Sequence, residues 1–491
     1  MKQQGDEYEV IVLGSGLGGL VAGACLSKKN HNVLFLKESK YHPSYIKEGY
    51  RFVPFSNFSE RRLKLSLLKK ISQTLSLSIM TDDQRADEQS ETKLGKPKQE
   101  VAFQVILPKS RIDLYCQRSV FQGEWGREFP KEEGQIENFY NEIDRIQQLL
   151  KKVKDKGGHW SVFPIRPQSL IKRWLSFEPL PREEMNKRIS PFSKEFREFM
   201  QLQLICWGDL YSDQFPISAA AYLLFNNEAD EWVSKVDVEK LKENIFGKIF
   251  ELGGKIEEVE SVERVDIKWR RGFTLSLKSE ERVLRSKFLI FNSPLHRLSG
   301  LLGKRGKRIL KWGEKIQPRY AFIPVFLGIR EKVVPVGMGD CLVSIFDLDK
   351  SYEGGNVLFL TLSQKGDETE APEGKRALTV ESLMPVGKWD QSSWGEHQKG
   401  VMKHLHHLFP FLEKYIEFTD WRWANDQFLC WSYPHFLYKT TTDFQWREGV
   451  VPTRISKNIY FTGKENFPYL GLEGEVLSGL MAGQQILEKY R

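Results

Sequence analysis

Two glycine groups, one near each end of the chain, have the types and spacing to hold a dinucleotide. Residues 14–19 read Gly14-Ser15-Gly16-Leu17-Gly18-Gly19. In G-x-G-x-x-G, Gly14 makes the tight turn, Gly16 lets backbone approach a pyrophosphate, and Gly19 lets a helix pack closely on a strand. That helix would point free N–H groups and its positive dipole end at the phosphates. Near the other end, Gly463-Lys464-Glu465 precedes Gly471-Leu472-Glu473-Gly474. Here a second helix start can face an anionic or electron-rich part of the same ligand. An acid normally ends the second strand of such a unit and bonds a ribose hydroxyl. The expected position holds Lys37, and Glu38 follows it. A cation there would also suit the 2′-phosphate of NADP(H).

The elements needed to position these residues are present in order. Val10 to Leu13 is a short apolar run, as a buried parallel strand should be. A helix follows the glycines, and Val33 to Leu36 is the next strand, so the whole has βαβ length. Gly23, one turn after Gly19, extends the close-packing face. Far along the chain, a helix through Ile245 and Ile249 stops at Gly253-Gly254, and strands follow from Lys255 to Val265. Phe288 to Phe291 is a further buried strand. It ends at Asn292-Ser293-Pro294, at the carboxyl end where ligands sit in open α/β sheets.

The intervening sequence reads differently. Leu63, Leu67, Leu68, Ile71 and Leu75 recur at helix spacing within 60–79, among basic residues. This is a core helix with a solvated charged face, or alternatively a surface for acidic lipid. Residues 81–100 are polar and read as a surface loop. Val101–Leu107 and Arg111–Tyr115 read as paired strands, Glu132–Lys154 and Ser193–Cys206 as helices. From Tyr320 to Pro385, strand-like runs at 322–329, 340–346, 356–362 and 376–383 suggest a largely antiparallel sheet. Trp394–Phe409 is a helix. Residues 421–446 are dense in aromatics, among them Trp431, Tyr433 and Phe436. These are core, or together the lining of a pocket for a large apolar ligand.

Whole-chain properties narrow the classes. The 491 residues allow a large core and two or three domains. The net charge of +8 is modest for this length, and no nucleic-acid-reading motif accompanies it. The five cysteines are widely separated, which points to a reduced cytoplasmic compartment. Peripheral attachment to the inner membrane face is the alternative setting. Met1 to Glu9 is polar, so no secretory leader is expected, and no apolar run is long enough to span a bilayer. His404, His406 and His407 cluster without a third ligand or carboxylate at metal-site spacing, so no metal is expected.

Together the two ends resemble the phytoene desaturase and carotenoid isomerase branch of the FAD-dependent amine-oxidase-like flavoproteins. The resemblance rests on Gly14-Ser15-Gly16-Leu17-Gly18-Gly19, on Tyr460-Phe461-Thr462-Gly463, and on Gly471-Leu472-Glu473-Gly474 with Ser478-Gly479. Weaker resemblance runs through Gly49–Phe52, Gly253-Gly254 with Val262, and Asn292-Ser293-Pro294. It implies that the first motif holds the ADP half of FAD, that the second lies along the pyrophosphate, ribityl chain and flavin, and that Val262 lies beside the adenine. The chain departs from the family pattern at Lys37, at 41–44 where a Gly-Gly-Arg-like turn is usual, and at Lys464 where an acid is usual.

The expected fold is α/β. A discontinuous Rossmann-like FAD/NAD(P)-binding domain comes from 1–80, 235–300 and 450–491. A mixed, largely antiparallel substrate domain with helices comes from 101–234 and 301–449. The expected function is FAD-dependent oxidoreduction of a large apolar, polyene-like small molecule. The alternatives are a non-catalytic scaffold binding a nucleotide or partner, and an NADP(H)-dependent reductase. At both departures Lys is followed by Glu, so a one-residue slip predicts that Glu38 reaches the adenosine ribose and Glu465 the ribityl or pyrophosphate region.

Overall fold

The computed structural model describes residues 6–38, 45–52, 63–77, 101–115, 118–157, 183–208, 210–211, 215–224, 232–233, 238–268, 272–278, 282–306, 311–387, 391–421, 436–440 and 450–490. The chain opens with β1 (Glu7–Leu13), α1 (Leu17–Ser27) and β2 (Val33–Glu38). Val10, Ile11, Val12 and Leu13 are all fully buried, because β1 is covered on both faces.

Three distant stretches supply one parallel sheet. Its order is Lys255–Val259, β2, β1, Val283–Phe291, then Ile459–Phe461. Val283–Phe291 also pairs antiparallel, through its first residues, with Gly272–Leu277, which pairs in turn with Val262–Lys268. The helix Val238–Glu251 leads into the edge strand, and its stop at Gly253 has φ +80°. α1 packs closely on β2, since a Cβ on Gly23 would lie 2.0 Å from the Phe35 ring. The C-terminal helix Gly471–Leu487 lies against α1.

Among the described residues the second sheet has eight strands, including the long, buried strand Ile316–Arg330 around which it is built. Lys375–Pro385 runs along one edge of that strand. The other edge is shared between Phe436–Thr440 and Ile416–Asp420. Val357–Leu362, Cys341–Ile345, Val101–Ile106 and Arg111–Tyr115 complete the sheet, with parallel pairing between Cys341–Ile345 and Val101–Ile106.

Several expectations are refined. The helix expected over 60–79 is Leu65–Leu75, after a short strand Leu63–Lys64 that pairs with Trp232–Val233. Its residues Leu67, Leu68, Ile71 and Leu75 are buried, so this apolar face is part of the core. No helix among the described residues is long and apolar enough to cross a membrane. The helix Arg118–Glu128 had no periodic signal, because glycines interrupt it. Packing forms it instead: Trp125 stacks on Tyr140 of the helix Glu133–Gly157 at 4.6 Å. His404 is buried on the helix Gln391–Leu408. Its Nδ1–H donates to the Gly355 carbonyl at 2.9 Å, and Nε2 accepts from the Ser344 hydroxyl at 2.8 Å. No metal-holding group of side chains occurs among the described residues. The polar stretch 81–100 and the aromatics Trp431 and Tyr433 lie outside the described residues.

Candidate dinucleotide site

The glycine turn sits where β1 and Val283–Phe291 end side by side. Asn292 N–H continues the ladder by donating to Leu13 O at 2.8 Å, and Gly14 N–H donates to Leu36 O at 3.1 Å. Gly14 turns there with φ +112°, and a Cβ on it would lie 2.0 Å from Asn292 O. Only glycine meets both demands. Gly16 is extended and precedes α1, whose first intrahelical bond runs from Leu20 N–H to Gly16 O. The earlier N–H groups have no partner within the helix, so they form a donor set beside the positive dipole end.

One of those donors is engaged by a side chain the sequence reading passed over. Glu475 Oε1 accepts from Gly18 N–H at 3.2 Å, and Asn292 Nδ2 lies 3.5 Å from the same oxygen. Glu475 is placed by the crossing of α1 with the C-terminal helix. At that crossing a Cβ on Gly479 would lie 2.2 Å from Gly18 O. Glu475 stands one turn earlier on the same helix face, aimed at the start of α1. Ser478 fixes its backbone: the hydroxyl donates to Glu475 O at 2.6 Å and accepts from Gly463 N–H at 3.1 Å. The signal available in the sequence was the Glu475-to-Gly479 spacing of four.

At the end of β2, Glu38 is buried. It accepts from Val262 N–H at 2.9 Å and forms an ion pair with Arg297. Thus Glu38 and Val262, flagged separately, are brought together and bonded to each other. Lys37 is half-buried, with Nζ 3.9 Å from Glu258. Glu465 accepts from Leu295 N–H at 2.8 Å, at the start of the helix Leu295–Leu301, and bonds Tyr438. Burial pushes its carboxyl up to about 7. Lys464 is half-buried in the same short turn. Gly471 begins the C-terminal helix with φ +52°, and Leu472 is buried. Glu473 accepts from the Tyr222 hydroxyl at 2.7 Å. A Cβ on Gly474 would lie 2.6 Å from Phe467 O. Gly19 packs on Asn292, Ser15 and Leu17 are buried, and Phe436 is buried with its ring 6.4 Å from that of His296.

Whether a dinucleotide suits this donor set can be tested on the buried oxygens around it. Asn292 Oδ1, Ser293 Oγ and Thr462 Oγ1 are buried with no hydrogen-bond partner. Asn292 Oδ1 would lie 2.4 Å from a Cβ on Gly16, and Ser293 Oγ 3.2 Å from one on Gly14. Buried polar atoms are ordinarily satisfied, so a polar ligand at the turn suits them. The glycine turn, the helix end and these oxygens fit a dinucleotide. Glu475 is the misfit, because its carboxylate stands on a donor that a phosphate would use.

No family model and no curated protein matches the sequence. Solved structures do. An oxidoreductase from Methanosarcina mazei matches with a TM-score of 0.59 at 14% identity, over 97% of this chain and 100% of that one. Putrescine oxidase bound to putrescine matches at 0.59 and 12%, over 98% and 99%. Cyclohexylamine oxidase from Brevibacterium oxydans matches at 0.54 and 14%, over 98% and 99%. The chain therefore shares the α/β fold of these oxidoreductases along nearly its whole length.

Proposed function

We propose that the chain is an FAD-dependent oxidoreductase acting on a large apolar small molecule. The observation that carries this reading is the Gly14–Gly19 turn, with α1 opening at the carboxyl ends of two parallel strands among three buried, unpartnered oxygens. FAD, when bound, supplies hydride chemistry at its flavin. The chain's residues bind, orient and exclude water. The first N–H groups of α1 would take the pyrophosphate, and the unpartnered oxygens of Asn292, Ser293 and Thr462 would bond polar groups of the cofactor. Glu38, at the end of β2, would bond the adenosine ribose, and Val262, whose N–H Glu38 holds, would lie beside the adenine, as the family resemblance implies.

The apolar substrate, polyene-like only by the family resemblance, is suggested by the aromatic density of 421–446, within which the structure describes the strand Phe436–Thr440. Its buried Phe436 and Leu437 lie beside Tyr438, which bonds Glu465. An amine is the second substrate reading, suggested by the oxidases of the same fold. A non-catalytic scaffold is favoured by one specific feature: Gly18 N–H and Val262 N–H are both held by carboxylates of the chain itself.

The test is to purify the protein without added cofactor, denature it, and identify what is released. Released FAD supports the proposal. A released nicotinamide nucleotide would replace it with an NADP(H) reductase. If no flavin is released, and none binds when added in excess, the scaffold reading stands instead. With FAD bound, flavin bleaching under anaerobic conditions by a polyene or by an amine distinguishes the substrate classes.

A further inference from the structure

We propose that Glu475 is an internal ligand of the dinucleotide site and sets how tightly a diphosphate is held there. This rests on reading the site as one for FAD. The Gly18 N–H lies in the first turn of an 11-residue helix, where an incoming phosphate would bond. Glu475 Oε1 already accepts from it at 3.2 Å. One N–H cannot serve both acceptors well. A diphosphate brought to this turn would also meet a carboxylate of like charge, in a buried setting where repulsion is poorly screened.

The glutamate cannot retreat as a unit. Its backbone carbonyl is capped by Ser478, and the crossing at Gly479 and Gly18 locks its helix against α1. The side chain alone can move. Asn292 donates from Nδ2 to Thr462 O at 2.7 Å and, at 3.5 Å, to the same carboxylate oxygen, while its own Oδ1 is buried and unpartnered. The turn therefore satisfies its donor by a chain carboxylate while leaving its acceptors open. That pattern suits a site that must exchange an internal anion for an external one.

Three proteins decide the matter: wild type, Glu475→Gln and Glu475→Ala. Gln keeps the shape and an oxygen for Gly18 N–H but loses the charge. Ala removes both, and thermal unfolding without ligand checks that each variant is folded. FAD binding is read by quenching of flavin fluorescence, and ADP and adenosine binding by calorimetry. Both variants are expected to bind FAD and ADP about tenfold or more tighter than wild type. Adenosine, lacking phosphates, should bind all three alike. If wild type binds FAD and neither variant binds it tighter, the role of Glu475 is overturned while the FAD reading stands. If adenosine gains as much as ADP, the effect is one of space rather than charge, and the proposal is equally overturned. If none of the three binds FAD, the proposal and the FAD reading both fall.

Discussion

Glu38 and Lys37 are neighbours in sequence with opposite fates. Glu38 is buried, bonded to Val262 N–H and paired with Arg297, whereas Lys37 reaches Glu258 only at 3.9 Å from a partly exposed position. Removing one partner of a buried pair leaves an uncompensated charge, so Glu38→Ala should cost about 3–5 kcal/mol of stability. Lys37→Ala should cost about 0.5 kcal/mol or less, as partly exposed pairs do. Urea denaturation of both variants checks this, and comparable losses would refute the assignment. The dinucleotide pattern led to an acid being expected near this strand end, and the one-residue slip singled out Glu38, whose partners in the structure are Val262 N–H and Arg297. Arg297 was invisible, because it lies 259 positions away and its role exists only once the sheet is assembled. Glu475 was missed for a similar reason. Its carboxylate matters through a helix crossing that no local period encodes.

At the scale of elements, backbone contact distances decide what glycine is for. Gly479 is where α1 and the C-terminal helix touch, and a Cβ there would lie 2.2 Å from the Gly18 carbonyl, which cannot step aside. Gly479→Ala should therefore destabilise by about 1–3 kcal/mol through overpacking. It should also push apart the helix pair that positions Glu475. Gly247, inside the helix Val238–Glu251, meets nothing within 4 Å. Gly247→Ala should instead stabilise by about 0.5–1 kcal/mol, since alanine loses less backbone entropy in a helix. Melting temperatures moving in opposite directions support this contrast, and shifts of the same sign refute it. Elements with a strong local signal were legible: β1 and β2 as short apolar runs, α1 from its glycine motif, the helix Glu133–Gly157 from its apolar face, and the second-sheet strands between Val101 and Pro385 from their strand-like runs. Ile416–Asp420 and Phe436–Thr440 were not read as strands. Arg118–Glu128 was not legible, because its helix is made by the Phe121 and Trp125 rings packing on Tyr140 rather than by propensity.

At the scale of the molecule, Glu465 joins the two sheets. It follows the last parallel strand, accepts from Leu295 N–H, and bonds Tyr438 of the second sheet. Burial raises its carboxyl from 4.5 to about 7, so the native state holds a proton that the unfolded chain has released across that window. Its contribution to stability therefore falls as pH rises from 4.5 to 7. His397 and His404 act in the opposite sense. Burial lowers each from 6.5 to about 4, so the unfolded chain binds protons that the native state refuses, and stability falls as pH drops through that range. Between 4.5 and 6.5 two protons oppose one, and these three groups leave a net rise of about 1.4 kcal/mol per pH unit. Glu465→Gln keeps an acceptor for Leu295 N–H but cannot ionise. It should gain stability relative to wild type as pH rises from 4.5 to 7, by about 3 kcal/mol in total. Urea midpoints of the two proteins at a series of pH values measure the difference directly, because the histidine contribution is common to both. Parallel curves would mean that Glu465 ionises freely in the folded protein. The junction between the sheets would then be no drier than the surface.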